Sequence, residues 1–371
     1  MRKPRVARIV SYLPVGGVEK RLLAILGRLK EDFEVEVICI HSRGKLAPLF
    51  EEANIPVTVI PFKSRLHPVS LYRLASYLRK RKVDIVHTHM YRPNISGTLA
   101  ARLAGVPVVI SNVHNVDHWD TGRQILMDRL LHPLRHGIVA VSQAVKRDIV
   151  NRSGAPLDKV VVIYNGLDLD SLQTGEEALE RVKKEVGASN ETFVVSMVAR
   201  LVPAKGHEHL FIAGQGLERL VKNLQVLVVG GGSYKAELEE RVRNLGLKKV
   251  RFLGERRDVP YLLKASKVSV LPSMKEGFSN VVLESMAARV PVVASDVGGV
   301  REAIEPCYSG FVVNYGAHRE LEKVLLLLHS LPALRKSVGA HGGRRVERRF
   351  TVEVMAEKTK ELYLNLLGRG R

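Results

Sequence analysis

The sequence predicts an α/β protein made of two Rossmann-like halves in tandem. Short Val- and Ile-rich runs recur without strict polar alternation, as strands buried on both faces of a parallel sheet do. Amphipathic segments separate them, and alternating strand with helix gives an open α/β sheet. The pattern then lapses over Gly166–Asn190, a polar stretch without strand-like runs, and begins again. At roughly 150 residues per domain, 371 residues suit two domains.

In the first half, strands are expected at Val6–Val10, Val35–Ile40, Val57–Ile60, Ile85–His87, Val108–Ile110, Ile138–Val141 and Val160–Ile163. Helices are expected at Val18–Lys30, Val69–Lys82, Asn94–Ala104, Gly122–Leu134 and Gln143–Arg152. The second half offers strands at Phe193–Ala199, Gln225–Val229, Val250–Leu253, Val268–Leu271 and Pro291–Ala294. Its helices fall at Glu208–Leu220, Tyr234–Leu245, Asn280–Ala288 and Val300–Ile304. The tail from Leu321 to Leu367 reads as helix, interrupted near Pro332 and again at Gly339–Gly343. This places domains at 1–170 and 171–350, with 351–371 as a terminal helix able to pack back on the first. Ligands of open α/β sheets bind outside the carboxyl ends of the strands. The expected site is therefore a cleft between the halves, built from loops that follow strands.

Composition excludes several classes. With 46% hydrophobic and 26% charged residues the chain is neither disordered nor fibrous. Cys39 and Cys307 are too few for a disulfide scaffold and suit a reducing compartment. No apolar run approaches the ~18–20 residues that span a bilayer. The basic start resembles a secretory leader, but Arg8, Pro14 and two glycines break its apolar part, so it reads as a first strand and loop of a cytoplasmic protein. Charge is the outlier: 58 Lys and Arg against 38 Asp and Glu, a net +20. That balance speaks to anionic partners rather than to fold.

Five constellations could carry chemistry. Gly16 and Gly17 follow the first strand, where paired glycines permit either a phosphate contact or a plain tight turn. His87, His89 and His114 are expected just past two strand ends, where a histidine is more often structural; His114, flanked by two asparagines, could instead donate to a sugar hydroxyl or phosphate, and the spacing does not suit zinc. Arg200 and Lys205 stand five residues apart in a Pro/Gly loop, either a diphosphate clamp or two solvated cations. Gly230-Gly231-Gly232 is an anion-friendly or a tightly packed turn. In Pro272-Ser273-Met274-Lys275-Glu276-Gly277-Phe278-Ser279-Asn280, Glu276 precedes a helix, Gly277 to Asn280 are expected to form its first turn, and Glu284 follows about two turns along. A helical glutamate can accept two hydrogen bonds from a ribose diol; taken alone, both carboxylates would be surface residues.

Glu276 and Glu284 resemble the paired glutamates, seven residues between them, of retaining family 4 (group 1) glycosyltransferases with the GT-B fold. The resemblance runs along nearly the whole chain, through GGVEK, HTH, SNVHN, VSQAVKRDI, IYNGLD, VARLVPAKG, VVGGGSYKAELE, VRFLGERRDV, EGFSNVVLESMAARVPVVASDVGGVREAI and GFVV in order. It implies an acceptor domain at 1–170 and a donor domain at 171–350. It also implies that Arg200 and Lys205 bind the donor diphosphate and stabilise its departure, and that Glu284 binds ribose. Glu276 would face the transferred sugar, with backbone contacts from Gly277, Phe278, Ser279 and Asn280. His114 would lie near the donor sugar, and Gly16 and Gly17 near the diphosphate and acceptor. The base would pack near Gly254 to Val259. The reaction implied moves a hexosyl unit from a nucleotide diphosphosugar, a UDP-sugar favoured over a GDP-sugar, with retention and without a metal cofactor. Asp168-Leu169-Asp170 has the letters of a metal motif but lies in the expected linker. Where the resembling loop often reads GRL, this chain has Ala199, tolerable if φ there stays negative.

The excess charge is uneven. Phe62–Lys82 carries Lys63, Arg65, Arg73, Arg79, Lys80, Arg81 and Lys82 and no acid, with Leu71, Leu74 and Leu78 on one helical face. This reads either as a membrane-surface helix or as a helix packed on the sheet with a basic rim. The expectation is a lipid-linked, lipopolysaccharide or polysaccharide acceptor, with peripheral binding to the inner face of the membrane. Two other readings are a GT-B sugar-nucleotide 2-epimerase and a basic nucleic-acid-binding protein. Against the last stand the 5% aromatic content and the lack of any zinc-finger or RNP-like motif.

Overall fold

A computed structural model describes residues 2–116 and 121–369. They divide into two compact units: residues up to Asp168 together with Val352 onward, and Leu169–Thr351. The chain thus passes between units twice.

The first unit runs β1 (Arg5–Val10), α1 (Gly17–Leu29), β2 (Glu34–Cys39), α2 (Ala47–Glu52), β3 (Val57–Val59), α3 (Pro68–Lys80) and β4 (Ile85–His89). It continues with α4 (Tyr91–Ala104), β5 (Val108–Val113), α5 (Gly122–Leu131), β6 (Gly137–Ala140), α6 (Gln143–Ser153) and β7 (Val160–Val162). Its seven strands pair in the order β3-β2-β1-β4-β5-β6-β7, and the registers are parallel throughout. Buried Val, Ile and Leu side chains fill both faces of this sheet, which is why the strands lack alternation.

The second unit runs α7 (Glu176–Val186), β8 (Phe193–Val198), α8 (His207–Leu220), β9 (Leu224–Val229), α9 (Lys235–Asn244) and β10 (Val250–Gly254). Then come α10 (Val259–Ala265), β11 (Val268–Leu271), α11 (Asn280–Ala287), β12 (Val292–Ser295), α12 (Val300–Ala303), β13 (Phe311–Val313), α13 (His318–Ser330) and α14 (Pro332–Arg349). Its sheet is parallel in the order β10-β9-β8-β11-β12-β13. The chain closes with α15 (Val352–Arg369), whose Val352, Ala356, Leu362 and Tyr363 belong to the core of the first unit.

In both sheets the strand order reverses at one place, between β1 and β4 and between β8 and β11. A crevice for ligand opens at such a switch point, beyond the carboxyl ends of the strands.

Several expectations need correction. The strand expected to stop at His87 continues to His89, because parallel pairing with β5 extends to His89 and Asn112. Both histidines are therefore buried strand residues, while His114 follows its strand. The break expected at Gly339–Gly343 does not occur, and α14 runs straight through it. The glycines are there for close packing: a Cβ on Gly339 would stand 2.1 Å from the Arg289 carbonyl oxygen, and one on Gly342 3.1 Å from that of Ser309. Gly277 and Phe278 precede α11, which starts at Asn280 behind Ser279, so Glu284 lies one turn in. The short elements α2, α10 and β13 had no periodic signature. Residues 166–190 are strand-free but hold α7, whose Val182 and Val186 pack into the second unit.

Candidate active site

The loops at the second unit's switch point gather most of the expected residues. β8 delivers Arg200, which is exposed, its guanidinium without hydrogen-bond or ion-pair partner among the described residues. Ala199 keeps a negative φ, so its methyl group costs no strain. The triple glycine packs against this segment. A Cβ on Gly230 would meet the Ala199 carbonyl oxygen at 1.9 Å, and one on Gly232 the Leu201 carbonyl oxygen at 2.2 Å. The Leu201 amide also donates to the Gly231 carbonyl at 2.8 Å. Of the two readings for Gly230-Gly231-Gly232, the geometry supports tight packing.

A 3-10 turn, Pro203–Lys205, then brings Lys205 beside the loop that follows β11. The Met274 amide donates to the Ala204 carbonyl at 2.9 Å, tying the two loops together. Lys205 Nζ donates to Glu276 Oε1 at 2.6 Å, and Ser273 Oγ donates to the same oxygen at 2.8 Å. Two motifs 71 residues apart thereby meet in one ion pair. Glu276 itself is buried, with 7% of its surface exposed.

The Glu276 loop is held from behind. Gly298 has φ +53, and a Cβ there would lie 1.5 Å from the Glu276 carbonyl oxygen; the Gly299 amide donates to the Gly277 carbonyl at 3.1 Å. Phe278 turns away into the core, its ring 5.2 Å from that of Phe350. It anchors the loop, so only its backbone is available for the contact expected of it. Ser279 caps α11 without a side-chain hydrogen bond, Asn280 opens the helix, and Glu284 is half-buried on it.

His207 escaped the sequence reading. It opens α8 two residues after Lys205, is buried, and neither ring nitrogen has a hydrogen-bond partner among the described residues. Burial, and then repulsion from Lys205, brings its pKa down to about 4, so at neutral pH it carries no charge.

In the first unit, Gly16 caps α1 with φ −152, ordinary extended backbone, and Gly17 begins the helix. A Cβ on Gly16 would press on Glu19 Oε2 at 2.5 Å, so this glycine makes room for the Glu19 side chain. His114 lies at the carboxyl end of β5, with Nε2 3.1 Å from His89 Nδ1 and 2.9 Å from Asn112 Nδ2. Asp168 sits 3.5 Å from Arg28 Nη2 and Asp170 opens a 3-10 turn. The apolar face of α3 is spent on the core: Leu74 and Leu78 are fully buried and Leu71 half-buried. The helix is thus packed on the sheet while its basic rim stays outside.

Two family models divide the chain in the same way. Residues 15–171 match Glycosyltransferase Family 4 and residues 180–345 match Glycosyl transferases group 1. An uncharacterised glycosyltransferase of Methanocaldococcus jannaschii is 30% identical over 312 residues, covering 77% of this chain and 78% of the relative. The chain belongs to the family 4 glycosyltransferases. Another relative of this glycosyltransferase is the UDP-Gal:alpha-D-GlcNAc-diphosphoundecaprenol alpha-1,3-galactosyltransferase of Escherichia coli, 26% identical with 98% of each chain covered. Among solved structures, Anabaena HepE in complex with UDP and glucose superposes with a TM-score of 0.87 at 23% identity, over 98% of this chain and 100% of that one. The fold is therefore GT-B: two parallel-sheet Rossmann-like units, as the sequence predicts.

Proposed function

We propose that this glycosyltransferase moves a hexosyl unit from a UDP-sugar, with retention at the anomeric carbon, to a lipid-linked or polysaccharide acceptor. The observation that carries the reading is the Lys205–Glu276 ion pair, which joins the cationic loop after β8 to the glutamate loop before α11. Arg200 and Lys205 are the cations for the diphosphate, and their charge opposes the charge that grows on it as it leaves. They do here what a metal would otherwise do. Glu284 takes the ribose hydroxyls; Glu276, with the backbone of Gly277, Phe278, Ser279 and Asn280, takes the sugar. Gly16, Gly17 and His114 serve diphosphate, acceptor and sugar from the first unit.

The anomeric carbon–oxygen bond to phosphate breaks, and the acceptor oxygen bonds on the same face of the sugar. The acceptor proton passes to the departing phosphate oxygen. No protein nucleophile is needed, so the side chains orient the reactants and stabilise charge. The E. coli relative, named for UDP-galactose and an undecaprenol-linked acceptor, supports both donor and acceptor class. A Staphylococcus aureus relative is named for capsular polysaccharide biosynthesis.

Thermal shift with UDP-, GDP- and ADP-sugars tests the donor. A ligand at 100 times its Kd adds ~2.7 kcal/mol of stability. UDP-sugars are expected to raise Tm, and Lys205→Ala and Glu284→Ala to reduce the rise; wild-type shifts and turnover in both variants would put the donor elsewhere. The acceptor end is tested on vesicles. Lys63, Arg65, Arg73 and Arg79 to Lys82 are exposed, as are Leu66, Val69 and Tyr72. At about 1 kcal/mol per cation near an anionic leaflet, they would hold the enzyme on a membrane. Flotation with anionic but not neutral liposomes is expected; equal soluble fractions in both would end this part of the proposal.

A further inference from the structure

We propose that Arg8 and His89 are positioning residues: two hydrogen bonds in series fix which ring nitrogen of His114 carries its proton.

The relay starts from a charge in an unusual place. Arg8 lies in the middle of β1, paired in register with His87 of β4, and only 2% of it is exposed. Among the described residues it has no carboxylate partner. Its Nη1 lies 2.8 Å from His89 Nε2, while Nε and Nη2 have no partner. The ring of Tyr363, from α15, stands 5.6 Å from the guanidinium carbon, and the Tyr363 hydroxyl is 2.8 Å from His87 Nδ1.

A guanidinium has five N–H groups and no lone pair to offer. Arg8 can only donate, so His89 Nε2 must accept. Burial above all, then the neighbouring His87 and Arg8, holds His89 well below its ordinary pKa, so the ring is neutral and its single proton sits on Nδ1. That N–H points at His114 Nε2, 3.1 Å away. The Asn112 amide nitrogen lies alongside the ring, 2.9 Å from Nε2 and 3.4 Å from Nδ1, and so does not select between them. Asn112 is held in turn by Asn94 Nδ2, which donates to its carbonyl at 3.2 Å. With the His89 N–H facing it, His114 Nε2 is an acceptor, and the proton of this ring belongs on Nδ1.

Ring packing keeps the chain aligned. His87 lies on His89 at 4.8 Å with 11° between planes, and the His89 and His114 rings meet edge to edge, centroids 5.4 Å apart with 26° between planes. A proton on His114 Nε2 would face the His89 N–H head to head, and His89 cannot turn it elsewhere while Arg8 occupies its other nitrogen. The buried arginine thus makes His114 a hydrogen-bond donor through Nδ1. For the oxygen of a sugar hydroxyl or phosphate that is the useful form. This consequence for turnover rests on the proposed role of His114; the tautomer does not.

Long-range proton–nitrogen spectra of the full chain, labelled with 15N-histidine, read the tautomer directly, with His114→Gln and His89→Asn supplying assignments. His89 and His114 are both expected as Nδ1–H forms at neutral pH, with and without UDP. His89→Phe keeps the ring stack but removes the N–H; it is expected to release His114 into a tautomer mixture and to lower kcat about tenfold while donor KM stays within about twofold. His89→Asn places an amide N–H where Nδ1–H stood and should restore the single tautomer. Wild-type His114 protonated on Nε2, or unchanged by His89→Phe, overturns the relay, and the wild-type spectrum decides even if a variant fails to fold. The expected tautomer together with full turnover in His114→Ala upholds the relay and removes His114 from the proposed chemistry.

Discussion

Lys205 and Glu276 are each mostly buried, with side-chain exposures of 21% and 10%. Removing one partner strands the other, so single and double variants are not expected to add. Beside them His207 gives the protein a pH dependence with a definite sign. Its pKa falls from 6.5 to about 4 on folding, so between those values the unfolded chain binds the extra proton. Stability is therefore complete above about pH 6.5 and declines as pH falls toward 4, by up to about 3 kcal/mol. His87 and His89, also held low by burial, act in the same direction. Urea midpoints at pH 7.5 and 5 are expected to differ, and His207→Leu to narrow the gap; an unaltered gap would clear His207 of the effect.

At the scale of elements, the site depends on loops too close together for side chains. Gly298→Ala adds a methyl group at a left-handed φ, directly against the Glu276 carbonyl. It is expected to cost more than about 1 kcal/mol and to abolish the donor-induced Tm shift. Gly27→Ala, inside α1 with open space around it, serves as control and should stabilise by about 0.5–1 kcal/mol. A Gly298→Ala enzyme with normal melting and donor response would mean that the loop is not held in this way.

Such contacts also mark the limit of what a sequence shows. The long strands and helices were legible because apolar periodicity is a local property of the chain. So was the VARLVPAKG loop after β8. Gly298 and Gly299 stood in plain view, yet their purpose depends on a carbonyl twenty-two residues earlier that no local pattern announces. Ser273 and His207 carried no signal beyond nearness to a motif. Arg8 did carry one, a charge inside an otherwise apolar strand, and it was visible before the structure gave it His89. The glycines of α14 misled for the same reason in reverse: helix propensity counts their entropy and cannot see the Arg289 carbonyl that requires them.

For the molecule as a whole, the decisive element is α15. Tyr363 is fully buried in the first unit, packed edge-on to Phe33 at 5.5 Å and hydrogen-bonded to His87. Tyr363→Ala is expected to destabilise by about 3–5 kcal/mol. Tyr363→Phe should cost less, about 1–3 kcal/mol, by leaving a buried polar group unmatched. Calorimetry can compare both, and a Tyr363→Ala melt equal to wild type would show that the helix is dispensable. No local feature ties Tyr363 to His87, 276 residues away, and only the folded chain reveals the pairing.

The return of the last helix also sets an order of birth. Residues 169–351 leave the ribosome before Val352, so the later-encoded half has all its parts while the earlier one still waits for its closing piece. Until α15 has emerged, the groove that Tyr363 will fill stays uncovered in the nascent protein, and the unit begun before residues 169–351 is finished after them.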